Sequence, residues 1–197
     1  MAGAAFEPGG FRCKIASMRS VHRAAQREQV ARDVATAIAV RNLPNTLFDY
    51  PWHVHPEIEL NLVVNGRGTR YVGDSISAFE PGEVTLVAGG TPHAWLSPPH
   101  QARTDWGIVV QFLPDVFGAG FLGLAATQPL SALFARAARG IVFDGAARAE
   151  ATRELWRLTD PGLSALGQLS CLLSILTTLA TSREQRVLSV AATPAAS

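Results

Sequence analysis

Hydrophobic and polar residues alternate on two different rhythms along this chain. From Thr36 to Phe112 the apolar residues come in short runs rich in β-branched and aromatic side chains, each ended by a turn signal. "AIAVRN" stops at "LPN", "TLFDYPWHVH" at Pro56, "IELNLVV" at "NGRG" and "TRYV" at Gly73-Asp74. "SISAF", "VTLVA", "HAWLS" and "DWGIVVQF" complete the series. Such runs predict strands, and Asn65-Gly66 and Gly73-Asp74 predict hairpin turns. After Phe112 the spacing changes to three and four, as on helices. "DVFGAGFLGLAAT" reads as a helix weakened by its glycines, and "PLSALFARAARG" as one with Pro129 at its start and Gly140 past its end. "IVF" predicts one more short strand. "GAARAEATRELWRLTD" and "PGLSALGQLSCLLSILTTLATSRE" are the clearest helices, with Asp160 as the expected N-cap of the second.

Seven or eight short strands followed by helices make a mostly β fold with a C-terminal α region, an antiparallel β-barrel or jelly roll. The expected boundaries are a barrel over 36–145, helices over 146–183, a loosely ordered extension over 1–35 and a flexible tail over 184–197. Val30, Val34 and Ile38 form the thin stripe of a short helix near the end of the extension.

Composition narrows the function classes. Hydrophobic residues make up 48% and charged residues 17%, enough for a sizeable core and too little charge for a disordered chain. A net charge of +1 gives no strong basic field to hold nucleic acid. Cys13 and Cys171 lie far apart without CxxC spacing, which suits a reducing compartment and argues against a disulfide framework. Leu163–Ala180 contains Gly, Gln, Ser and Thr and reads as a buried helix, not a membrane span. A soluble cytoplasmic protein is expected.

The chemistry concentrates in "WHVHPEIELNLVVNGRG". His53 and His55 share one face of a strand. Glu59 returns to the interior after Pro56, where an unpartnered carboxylate costs several kcal/mol, so a cation is expected beside it. His93, at the start of a later strand, fits the same site. Three imidazoles and one carboxylate suit a divalent transition metal such as Fe, Mn, Ni, Cu or Zn. They suit equally a metal-free polar pocket in which the histidines hydrogen-bond Glu59 or a ligand. Asn61, in phase with Glu59, and Trp95, in phase with His93, are candidate ligand-binding residues. Glu57, Arg67 and Arg70 read as surface charges. Trp106, Ile108, Val110 and Phe112 read as core.

These residues carry a resemblance. "HVHPEIELNLVVNG" fits the first cupin motif, HxHx3Ex6G, at His53, His55, Glu59 and Gly66. "GEVTLVAGGTPHAWLS" fits the second at Gly82, Gly90 and His93, departing at Ala88 and Ser97, which concern turns and not ligands. The stretch from "PWHVHPEIEL" to "GGTPHAW" resembles the N-terminal sensor half of AraC/XylS-type transcription regulators over about residues 36–182. The resemblance implies a cupin-type barrel that binds a small-molecule effector, a sugar among the candidates. It implies a homodimer built on the helix carrying the Leu163–Leu179 stripe. DNA would be read only through a helix-turn-helix region that this chain lacks, as though it were cut from a longer regulator. Family membership does not fix the metal, because arabinose-type sensors include barrels that bind sugar without one. The alternative function is a stand-alone metal-dependent cupin enzyme, a dioxygenase or sugar isomerase. No general acid or base is evident beyond the ligands, so a non-enzymatic role is expected.

Overall fold

The computed structural model describes residues 24–46, 48–98 and 104–191. Two sheets face each other, and three helices pack outside one of them. The strands are β1 (Gln26–Arg27), β2 (Ile38–Thr46), β3 (His53–Val54), β4 (Ile58–Asn65), β5 (Gly68–Val72), β6 (Ser75–Phe79), β7 (Val84–Val87), β8 (His93–Leu96) and β9 (Asp105–Phe112). Then follow α1 (Gln128–Ala137), β10 (Ile141–Phe143), α2 (Gly145–Leu158), α3 (Ala165–Thr181) and β11 (Gln185–Val187). The first sheet runs β1-β3-β8-β5-β6 and the second β11-β10-β7-β4-β9-β2. All strand pairs are antiparallel except β1 with β3. The predicted mostly β fold with C-terminal helices is the one observed.

Alternation decides where the core sits. The even-numbered residues Ile58, Leu60 and Leu62 of β4 and Ile108, Val110 and Phe112 of β9 point out of the sandwich. They are all but inaccessible, covered by Leu133, Leu155, Leu172, Ile175, Leu176 and Leu179 of the helices. The odd-numbered residues point inward. Leu60 lies opposite Val110 and Glu59 opposite Gln111, so one register serves both faces. A second, smaller cluster of Phe48, Val63, Val72, Phe79, Val87 and Trp95 is buried apart from the first.

Several elements differ from expectation. Gly73-Asp74 makes the predicted hairpin between β5 and β6, with Val72 opposite Ser75. Asn65-Gly66 does not make one: β4 pairs with β7 and β9, β5 with β6 and β8, so the chain crosses between sheets there. Gly66 has φ of 122°, and a Cβ on it would lie 2.7 Å from Asp105 Oδ1, so this corner needs glycine for its fold and for its closeness to Asp105. "DVFGAGFLGLAAT" forms turns and two 3-10 segments, Phe121–Gly123 and Ala125–Thr127, instead of a helix, because Gly118 and Gly120 adopt positive φ. α3 is capped by Ser164, which accepts from the Gly167 amide at 3.1 Å, and not by Asp160. Asp160 instead accepts from the Gly162 amide, closing a local turn before the helix. The expected helical stripe of Val30, Val34 and Ile38 is not formed. Gln26–Arg27 is a strand along β3, Val34 is fully exposed, and Ile38 opens β2. Residues 1–23, with Cys13, and residues 192–197 lie outside the described residues. In the segment from Glu184, where the pattern shows no element, β11 adds to β10. Among the described residues no helix is long and apolar enough to cross a membrane.

Candidate metal and ligand site

The site forms where the two sheets face each other. In the first sheet β3 and β8 pair antiparallel with His53 opposite His93, so the two imidazoles project side by side, ring centroids 4.3 Å apart. His55 follows two residues after His53, on the same face. The loop before β8 packs against it closely: the Gly90 amide donates to the His55 carbonyl at 2.8 Å, and a Cβ on Gly89 would fall 1.9 Å from the Pro56 carbonyl oxygen. Glycine at 89 is thus the condition for bringing His93 beside His55. From the second sheet β4 contributes Glu59, β9 Gln111 and β2 Arg41.

One ligand atom from each of His53, His55, Glu59 and His93 lies within 4.8 Å of every other, and all four residues are buried. The sequence placed these four in one pocket, and the structure brings them together. His53 Nδ1 lies 2.8 Å from the Pro51 carbonyl, and His93 Nδ1 2.8 Å from the Thr91 carbonyl. A carbonyl only accepts, so both rings carry their proton on Nδ1 and, when neutral, aim an Nε2 lone pair into the site. Both Nε2 atoms are buried without a hydrogen-bond partner. His55 Nε2 sits 3.2 Å from Glu59 Oε2, and His93 Nε2 3.5 Å from it.

Electrostatics follow from this geometry. Burial favours a neutral Glu59, but the charge of His93 and the hydrogen bond from His55 outweigh it and hold the carboxyl well below the usual carboxylate range. His93 is the reverse case: burial penalises its cation, and the Glu59 carboxylate overcomes that and raises its pKa. His53 is lowered by burial and by the charge of His93. Of these three groups, Glu59 favours its charge, His93 its proton and His53 its neutral form.

Three further residues complete the site. Gln111 is fully buried; its Nε2 donates to Glu59 Oε2 at 2.9 Å, and its Oε1 accepts from Arg41 Nη2. Arg41 also reaches the Tyr50 hydroxyl at 3.3 Å and Glu28 Oε1 at 3.2 Å. Glu28 enters from β1, whose two residues pair with His53 and Val54. Its Oε2 has no hydrogen-bond partner and lies 3.4 Å from His53 Nε2 and 3.9 Å from His55 Nε2. The sequence reading missed all three. A signal existed for two of them, since Arg41 and Gln111 are polar residues inside apolar strands, in phase with the cavity. Glu28 carried none.

A cavity of about 230 Å³ adjoins the histidines, lined by Phe48, Tyr50, Trp95, Val109, Asn61 and Arg41 among others. Asn61 and Trp95, the candidate ligand-binding residues, both line it, and Asn61 Oδ1 and Trp95 Nε1 are buried without partners. Two expected surface charges are buried instead. Glu57 is 3% exposed, with Arg32 Nε 3.6 Å and His55 Nδ1 3.5 Å from its carboxylate, because residues around Arg32 cover the turn. Arg70 is 1% exposed and bonded to Glu83 and Ser77; burial and the Arg186 charge push its pKa down to about 10. Arg67 is exposed, as expected, beside Glu80. Ile108, Val110 and Phe112 are core, whereas Trp106 is half-buried, edge-on to Trp156 of α2.

Residues 37–109 match the family model of the AraC-like ligand binding domain. No curated protein matches the chain. Among solved structures, the AraC-like transcriptional activator CuxR is similar with a TM-score of 0.48 at 8% identity, over 75% of this chain and 52% of that one. ToxT from Vibrio cholerae O395 is similar with a TM-score of 0.41 at 9% identity, over 72% of this chain and 52% of its own. A cupin 2 conserved barrel domain protein from Rhodopseudomonas palustris is similar with a TM-score of 0.33 at 16% identity, over 42% of this chain and 57% of its own. The chain thus spans about half the length of the two regulators.

Proposed function

We propose, for a chain whose residues 37–109 match the AraC-like ligand binding domain, that it is the effector-sensing and dimerising part of a cytoplasmic transcriptional regulator. The observation that carries this reading is a largely apolar cavity lined by residues with unpartnered polar atoms, Asn61 Oδ1, Trp95 Nε1 and His53 Nε2, with His93 Nε2 likewise unpartnered beside His53. Such atoms cost stability unless something binds them. Asn61 and Trp95 would hold the polar end of a small effector. DNA contact, in this reading, belongs to a helix-turn-helix region, which the described residues do not form.

The donor set fits a divalent transition metal: three imidazoles, two with tautomers fixed by backbone carbonyls, and one ionised carboxylate. His53, His55, Glu59 and His93 would hold it. When bound, the metal supplies a Lewis-acidic position for an oxygen donor of the effector. Gln111 orients Glu59 through its Nε2 donor, whether or not a metal is present.

Elemental analysis of protein purified without a metal-binding tag, followed by titration with Zn²⁺ or Mn²⁺ after chelation, tests the ligand set. Uptake of one ion per chain is expected, weakened at least about tenfold by His93→Ala and by Glu59→Gln. Wild-type protein that takes up no ion, with variants indistinguishable from it, leaves the metal-free polar pocket as the reading. Turnover of a small molecule by metal-loaded protein would point instead to a cupin enzyme.

A further inference from the structure

Glu28 occupies the site as a ligand would. It belongs to neither sheet's interior, and it arrives on a two-residue strand at the edge of the first sheet. Its carboxylate is held at one end and left without a hydrogen bond at the other. Oε1 accepts from both Nη1 and Nη2 of Arg41 at 3.2 Å, and Oε2 faces His53 Nε2 and His55 Nε2 without a hydrogen bond. Arg41 is itself held in place by Gln111 and Tyr50, so the guanidinium does not depend on Glu28 for its position. On one side of Glu28 lies the 230 Å³ cavity, and on the other an outer cleft of about 480 Å³ that it also lines. The side chain stands between the two spaces.

We propose that this is a carboxylate seat, that Glu28 is its resident occupant, and that the effector is a compact monocarboxylic acid that takes the seat from it. The proposal rests on the sensor reading and names the chemical class that reading leaves open. Charge excludes a neutral sugar as a sufficient replacement: displacing Glu28 without bringing an anion leaves Arg41 half-buried beside the histidines with its ion pair lost. Guanidinium and carboxylate match in planar, two-point geometry, and Arg41 already presents both Nη atoms to one oxygen. The body of the acid would lie on Phe48, Val109 and Trp95, with Asn61 Oδ1 and the Trp95 indole N–H available to one polar group at its far end. An apolar cavity of roughly 150 Å³ admits benzene, so the space beside Glu28 suits a single ring or a short chain. Release of Glu28 is inexpensive because β1 is fixed by few backbone bonds, Gln26 N to the Trp52 carbonyl and Glu28 N to the Val54 carbonyl among them.

The test uses the whole 197-residue chain and a matched pair of probes, phenylacetate and phenylacetamide, followed by calorimetry and by tryptophan fluorescence. Phenylacetate should bind and the amide should not. Glu28→Gln should bind phenylacetate about tenfold more tightly, since an internal competitor that fills most of the seat lowers apparent affinity by the fraction left open. Arg41→Met should lose phenylacetate in both backgrounds, while its circular dichroism and melting curve report whether it still folds. Phenylacetate should also speed tryptic cleavage after Arg27, a readout that binding elsewhere would not move. Equal binding of acid and amide, or an acid affinity indifferent to Glu28→Gln, overturns the seat and leaves the sensor reading standing. Phenylacetate bound at the seat but chemically converted, seen by NMR of the mixture, upholds the seat and overturns the sensor. Binding of neither probe to any of the proteins overturns the seat, and uptake of a neutral sugar under the same conditions would then keep the sensor reading.

Discussion

His93 and Glu59 form a pair whose two partners shift in opposite directions, and the signs give the pair a defined pH window. His93 is raised above the 6.5 of an ordinary histidine, so its stabilisation is fully present below that value and is lost as pH rises through the raised one. Glu59 is lowered, so its stabilisation is present above 4.5 and is lost as pH falls through the lowered value. In chelated protein the pair therefore contributes most between 4.5 and 6.5. His53, lowered by burial, works against it over the acid part of that range. Denaturant titration of wild type and His93→Gln should show a larger stability loss at about pH 5.5 than at about pH 8.5. An equal loss at both would mean that His93 is neutral throughout and the pair is not ionic. The four residues of this constellation were legible because their spacing is local within two motifs. Gln111 and Arg41 carried a weaker signal, polar residues inside apolar strands, and their place in the site follows only from cross-strand register: Gln111 is opposite Glu59, and Arg41 is opposite Val109.

At the scale of elements, strands were legible and their partners were not. The Asn65-Gly66 pair has hairpin chemistry, yet the same dipeptide turns the chain from one sheet into the other, a choice made by which edges β4 and β5 find. α3 was legible as a helix, but its wide apolar stripe conceals two roles. Cys171, Leu172, Ile175, Leu176 and Leu179 are buried against α1, α2 and the second sheet. Leu169 and Leu173 are half-buried, and Leu166 is 77% exposed. Leu176→Ala should cost about 2–5 kcal/mol, read by chemical denaturation. Leu173→Glu is the substitution that reports on the proposed dimer: wild type should sediment as a dimer at micromolar concentration and this variant as a folded monomer. A wild-type monomer would show that the stripe serves only its own domain. Burial of a leucine contributes roughly 1.5–3 kcal/mol, so a few such residues per chain suffice for association.

For the whole molecule, charge and shape give the same expectation. With a net charge of +1 the chain has no strong overall basic field, and α2 and α3 pack on each other and into the core shared with the second sheet, so the described residues show no free pair of helices for a groove. A competition gel-shift with the purified chain should give no sequence-specific complex at physiological salt. A specific complex would place a DNA reader within these residues. The order of strands, then helices, was legible from the change in hydrophobic period at Phe112. The helices' seat on the outside of one sheet was not, because period alone does not say which face of a strand a later helix will cover.

The odd and even residues of β4 and β9 carry one more consequence. Those strands are a party wall: Glu59, Asn61, Val109 and Gln111 belong to the chamber on one side, Leu60, Val110 and Phe112 to the helices on the other. Consecutive residues share one backbone, so a substitution on the chamber side at Gln111 stands next to Val110 and Phe112, whose side chains belong to the core shared with the helices.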